Sequence, residues 1–232
     1  MIEKRAFESL GRFQFDWLNA RHHFSFGEYH DPSRMGWGAL RVWNDDEIRA
    51  GGGFPTHPHR DMEIITYVRE GAISHRDSVG NAGRTVAGDV QVMSAGTGIR
   101  HSEFNQEDEQ TTLFQIWIMP DQAGGEPRWD AAEFPQNDRA GGLVTLASGN
   151  PERDGGLLIR ADAKVLGATL EDGQSVTYEA APGRHLYLVS SAGKVKVNGV
   201  ELNARDAAAI KDEAEIRIEA LGDAEIVMVD SR

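Results

Sequence analysis

The chain has 232 residues, room for one large domain or two smaller ones, and 40% of them are hydrophobic, enough for a packed core. Acidic residues outnumber basic ones 37 to 24, a formal charge of −13, so nucleic acid and anionic membranes would be repelled over most of the surface. With no cysteine, disulfides, thiolate zinc sites and iron–sulfur clusters are excluded, and any metal must be held by nitrogen and oxygen.

The opening MIEKRAFESLGRFQFDW (1–17) carries no long apolar run, and no later segment approaches the roughly 20 apolar residues that span a bilayer. A cytoplasmic protein is the expectation. The adjacent pair His22 and His23 points to opposite faces if extended, so it cannot chelate as a unit. In GGGFPTHPHRDMEIITYVREG (51–71), His57 and His59 flank Pro58 at the start of an apolar run. Residues two apart on a strand point the same way, so both imidazoles project to one side. Counting by twos from His59 also brings Glu63 inward, where hydrogen bonding to a ligand imidazole would orient it.

Turn signals then recur at GNAG (80–83) and AGD (87–89), and MSAGTGIRHSEFN (93–105) sets His101 and Glu103 at the same two-residue spacing. TLFQIWIM (112–119) reads as a strong strand, and the polar, Pro- and Gly-bearing stretch 121–136 reads as a boundary. Beyond it come EDG (171–173), APG (181–183) and SAG (191–193), a tight Asn-Gly hairpin in KVKVNGVEL (194–202), and a strand in AEIVMV (224–229). MEIITYVREG (62–71) matches RHLYLVSSAG (184–193) in length and pattern, and each is followed by a hairpin and then by AGDVQVM (87–93) or ARDAAAI (204–210). The expectation is an all-β chain of two barrels with little helix, residues 1–130 and 131–232.

If the two pairs lie on neighbouring strands of the front barrel, His57, His59, His101 and Glu103 supply three nitrogens and one carboxylate oxygen. That set suits Fe(II), Mn(II), Ni(II) or Cu(II) and leaves coordination positions open. If the strands do not converge, the same residues are an ordinary polar turn and loop. His22, His23, His30, His75 and His185 stand outside these two pairs and are read as ordinary or, at best, as supporting the ligands from behind. Phe26, Trp37, Met93 and Ile99 are apolar candidates for a pocket lining.

These residues carry a resemblance to the cupins. Gly51, His57, His59 and Glu63 fit the first cupin motif, with Gly71 one residue late. Gly88, Gly96, His101 and Asn105 fit the second, with Ser94 in place of its proline and two extra residues before the histidine. RHHFSFGEYHDPSRMGWGALRVWNDDEI (21–48), MSAGTGIRHSE and LFQIWIMP (113–120) resemble the pirin branch, in particular the bacterial pirin-like quercetinases.

The resemblance implies a bicupin of two jelly-roll barrels with metal in the N-terminal one only. The second half agrees: Glu179 and Ala181 stand where His57 and His59 stand in the first, and His185 is its one histidine. It implies His57, His59, His101 and Glu103 as ligands of one divalent transition metal, iron(II) first and Mn, Ni, Co, Cu or Zn as alternatives. The implied activity is a quercetin 2,3-dioxygenase that cleaves a flavonol with O₂ and releases CO. Glu103 would take the proton of the flavonol 3-hydroxyl, and Glu63 would support the ligands from behind. The implied partners are a small aromatic polyphenol and O₂. The alternative is a non-enzymatic, metal- or redox-sensing pirin that binds a transcription factor or a metabolic enzyme.

Overall fold

A computed structural model of the chain describes residues 1–134 and 139–232. Part of the expected 121–136 boundary, residues 135 and 136, lies outside the described residues. Strands dominate, and they form two compact units that are not contiguous in sequence. One holds residues 11–133 with 157–161, and the other holds 1–10, 134–156 and 162–232. The first ten residues thus belong with the C-terminal half rather than with the front barrel, because Ile2–Arg5 pairs antiparallel with Ala207–Lys211.

In the unit of residues 11–133, a large sheet runs in the order Arg128–Ala132, Val90–Ser94, Glu63–Glu70, Thr111–Ile118, Leu40–Ile48, Leu18–His22, Gly11–Phe15. A four-stranded sheet runs Gly53–His59, Ile99–Phe104, Ala72–Asp77, Ala82–Val86. The two close on shared apolar contacts: Leu18, Ala20, Ile48, Val68 and Leu113 of the large sheet bury with Ile73 of the small one. Burial of such side chains is the main favourable term in the fold.

The other unit repeats this plan. Its large sheet includes Ile2–Arg5, Ala207–Lys211, His185–Ala192, Ala224–Ser231, Ala163–Leu170 and Val144–Ser148 in that order. Its small sheet runs Ser175–Glu179, Glu215–Ala220, Val195–Val197, Val200–Leu202. Alternation sets the faces: Ile216, Ile218 and Ala220 point inward while Glu215 and Arg217 stay exposed. Asn198 and Gly199 take φ of 44° and 88°, as the Asn-Gly hairpin requires.

The repeat seen in sequence is structural. Glu63–Glu70 and His185–Ala192 are corresponding strands, ended by Gly71 at φ 74° and Gly193 at φ 73°. A Cβ on Gly193 would stand 2.1 Å from the Asp223 carbonyl oxygen, so the turn requires glycine.

In the C-terminal unit, Asp230 accepts hydrogen bonds from Tyr178 and from Arg184, whose Nε lies 2.6 Å away and whose Nη1 reaches Asp162 at 2.8 Å. Burial and the Asp230 carboxylate together push the Tyr178 hydroxyl pKa up. Asp230→Ala would take the acceptor from Tyr178 and leave the half-buried Arg184 guanidinium with Asp162 alone. It should lower unfolding stability by about 3 kcal/mol, read by urea denaturation.

Candidate metal centre

The strand Gly53–His59 lies at the edge of its sheet, which is where two prolines, Pro55 and Pro58, are tolerated in a ladder. Its pairing with Ile99–Phe104 slips once: His101 faces His57, while Glu103 faces Phe54. This bulge re-phases the strand so that Phe54, His57 and His59 are all drawn in while Pro55, Thr56 and Pro58 stay exposed. It also presents the Pro55 carbonyl to His57, whose Nδ1–H donates to it at 2.7 Å. A carbonyl can only accept, so the neutral His57 ring keeps its lone pair on Nε2.

That Nε2 faces Nε2 of His101 at 3.0 Å. Behind His101, Nδ1 meets His75 Nδ1 at 3.5 Å, and His75 Nε2 meets Asp77 Oδ2 at 3.2 Å. Asp77 is itself fixed by the backbone N–H groups of Val79 and Asn81 and by the Asn81 amide. With His75 Nε2–H donating to the carboxylate, His75 Nδ1 accepts from His101 Nδ1–H, and the His101 lone pair is left on Nε2. Two lone pairs pointing at each other call for a cation between them. A divalent transition metal would take one nitrogen from each ring there.

His59 completes the cluster, with one nitrogen from each of His57, His59 and His101 within 4.8 Å of the others. Its ring also meets the edge of Trp117 at 4.9 Å between centroids. Burial first, then its imidazole neighbours His101 and His57, push His59 down to about 4. Burial, then His57 and His75, push His101 down to about 3. Both are therefore neutral donors at neutral pH, the form that binds metal.

Glu103 belongs to a second group, within 4.8 Å of His101 and His75, so His101 is shared between the two. Its carboxylate is buried at 2% exposure. It accepts from Gln91 Nε2 at 2.5 Å, Gln115 Nε2 at 2.8 Å and Thr66 Oγ1 at 3.4 Å. The donors come from one row of the large sheet: Gln91, Thr66, Gln115, Asn44 and His22 are cross-strand neighbours over five strands. Flanking inward positions such as Ile64, Met93, Leu113 and Val68 are apolar. The barrel thus holds one polar belt, and Glu103 of the opposite sheet rests on it.

Before the metal group and the belt opens a cavity of about 780 Å³, within the size range of small-molecule sites. Its apolar lining includes Phe13, Leu18, Phe26, Phe54 and Trp117. Of the expected lining residues, Phe26 is there. Met93 and Ile99 instead pack with Ile64 and Ala95 in a buried cluster, and Trp37 bridges back to Leu40 outside the lining.

His75, read as at best supporting a ligand from behind, contacts His101 in that way, while His22 goes further and lines the cavity itself, its Nδ1 2.8 Å from Asn44 Oδ1. The signal for His75 was present, since Asp77 follows it at the spacing of the ligand pairs. Glu63 lies elsewhere. The chain turns at Asp61, φ 49°, so counting by twos from His59 fails, and Glu63 hydrogen-bonds Ser94 at 2.6 Å. Among the described residues, both groups of candidate ligands lie in this unit, while the other barrel is filled by Leu166, Leu188, Ile216 and Met228.

A double-sheet barrel pair with a histidine-rich metal group in one barrel defines a bicupin. Comparisons narrow it further: the family model described as Pirin matches residues 3–118, and that described as quercetinase C-terminal cupin domain matches 145–231. The chain belongs to the pirin family. It is 61% identical over 231 residues to a pirin-like protein of Caulobacter vibrioides, covering 100% of both chains. It is 45% identical over 232 residues to a protein of Escherichia coli strain K12 named quercetin 2,3-dioxygenase, covering 99% of this chain and 98% of that one. The crystal structure of the Escherichia coli bacterial pirin YhhW in complex with nickel(II) superposes with a TM-score of 0.94 at 42% identity, over 100% of this chain and 99% of that one.

The His75 ring stacks on Trp129 at 5.0 Å and 10°. His75→Phe keeps that stacking and the volume but removes both nitrogens. Metal affinity should fall roughly 10- to 100-fold with little change in thermal midpoint, measured by competition with a chelator.

Proposed function

We propose that the protein is a metal-dependent dioxygenase that opens the central ring of a flavonol such as quercetin with O₂ and releases CO. The observation that carries this reading is the juxtaposition of facing His57 and His101 nitrogens, a buried carboxylate and an apolar cavity of about 780 Å³. In this reading His57, His59 and His101 hold one divalent transition metal, iron(II) first, and Glu103 completes the set. A bound metal of this kind supplies open coordination positions and lowers the pKa of a hydroxyl placed on it.

Glu103 takes the proton of the flavonol 3-hydroxyl. Gln91, Gln115 and Thr66 hold its carboxylate in one orientation, so little of its alignment is left to chance when substrate arrives. The deprotonated flavonol is an electron-rich enolate, and its carbon framework reacts with O₂ held against it. Phe26, Phe54 and Trp117 exclude water around the ring and press it flat. A deep cavity in front of the metal group favours a small aromatic ligand over a protein partner, which would need a broad surface.

Purified protein loaded with Fe, Mn, Ni, Co or Cu should consume O₂ and release CO with quercetin, and chelation should abolish turnover until metal is restored. Glu103→Gln should lower kcat about 100-fold or more, with metal content measured alongside. Full turnover in that variant would overturn the base assignment.

A further inference from the structure

Asp46 sits on the inward face of the strand Leu40–Ile48, with Ala20 and Leu113 as its cross-strand neighbours. It is 2% exposed and lines the cavity, yet its Oδ1 is buried without a hydrogen-bond partner. It stands outside the hydrogen-bonded belt that serves Glu103. The Arg69 guanidinium, which acts on Asp46 through its charge, is paired with Asp45 on the other face of the strand. Burial, then the negative charges of Asp45 and Glu103, hold the Asp46 carboxyl well above the usual carboxylate range. In its protonated form a carboxyl has one O–H to give and a carbonyl oxygen to receive.

A buried acid that pairs with no protein group works against folding, and a leucine, branched alike with the same number of side-chain heavy atoms, would suit a row whose other members are Ala20, Leu113 and Val68. A ligand atom is what offsets it. We propose that Asp46 is a specificity-determining residue that reads a hydroxyl of the bound aromatic, so that the preferred ligand carries a phenolic hydroxyl beyond the one next to the metal. This rests on the flavonol reading above and deepens it by naming the substrate class, a polyhydroxylated rather than a bare flavonol. A phenol both donates and accepts, which matches a neutral carboxyl on both counts. A carbonyl would use only its donor, and an anionic substituent would enter a lining that already holds the Glu103 carboxylate.

The test is anaerobic binding to metal-loaded protein of quercetin and of 3-hydroxyflavone, which keeps the 3-hydroxyl and lacks all the others. The wild type should bind quercetin roughly 10- to 100-fold more tightly. Asp46→Leu should cut that ratio by about fivefold or more while its thermal midpoint stays level or rises, and Asp46→Asn should keep most of the preference. A wild-type ratio near one overturns the inference without any variant, and so does an unchanged ratio in Asp46→Leu. In both cases quercetin turnover survives, so the oxygenase reading stands. Binding of neither flavonol overturns both.

Discussion

Two imidazole nitrogens, one on His57 and one on His101, look at each other across 3.0 Å with their lone pairs inward. Each is forced into that state from behind, His57 by the Pro55 carbonyl and His101 by His75 backed by Asp77. Neither ring can turn or exchange its proton without giving up a partner, and burial with its imidazole neighbours lowers the affinity of His101 for a proton that would relieve the repulsion. A bound cation would relieve that opposition, and the three histidines are grouped closely enough to hold one. The bulge, the edge strand and the row of amides under Glu103 are the means by which the chain holds that arrangement.

The second unit shows what the same plan becomes without this constraint. Its strands follow the same order and its corresponding turn uses Gly193 as the first uses Gly71. The strand matching the histidine pair, Ser175–Glu179, ends in an exposed glutamate, and Leu166, Leu188, Ile216 and Met228 fill the interior. Fold and site are separable here within one chain.

Strand positions, the Asn-Gly hairpin, the duplication and the convergence of His57, His59 and His101 were legible because each depends on local chemistry or on a period of two. What escaped depends on register between distant strands. Glu63 looked inward only on the assumption of an unbroken strand, and Asp61 breaks it. Gln91, Thr66 and Gln115 each sit singly in an apolar run, and their meaning emerges only when pairing lines them up under Glu103. Asp46 hides in the same way, one acid in a charged stretch of sequence until its neighbours prove to be Ala20 and Leu113. The segment exchange of residues 1–10 is equally non-local, since nothing in Ile2–Arg5 announces Ala207–Lys211 as its partner.

Pro55 and Pro58 do more than shape the bulge. They stand on an outer strand of the small sheet, where unpaired main-chain donors invite another chain to add itself. Proline has no donor to offer, so the segment that carries the histidine pair is a poor template for such growth. An edge that carries candidate ligands is thereby less inviting to a further polypeptide than one with an unbroken run of donors would be.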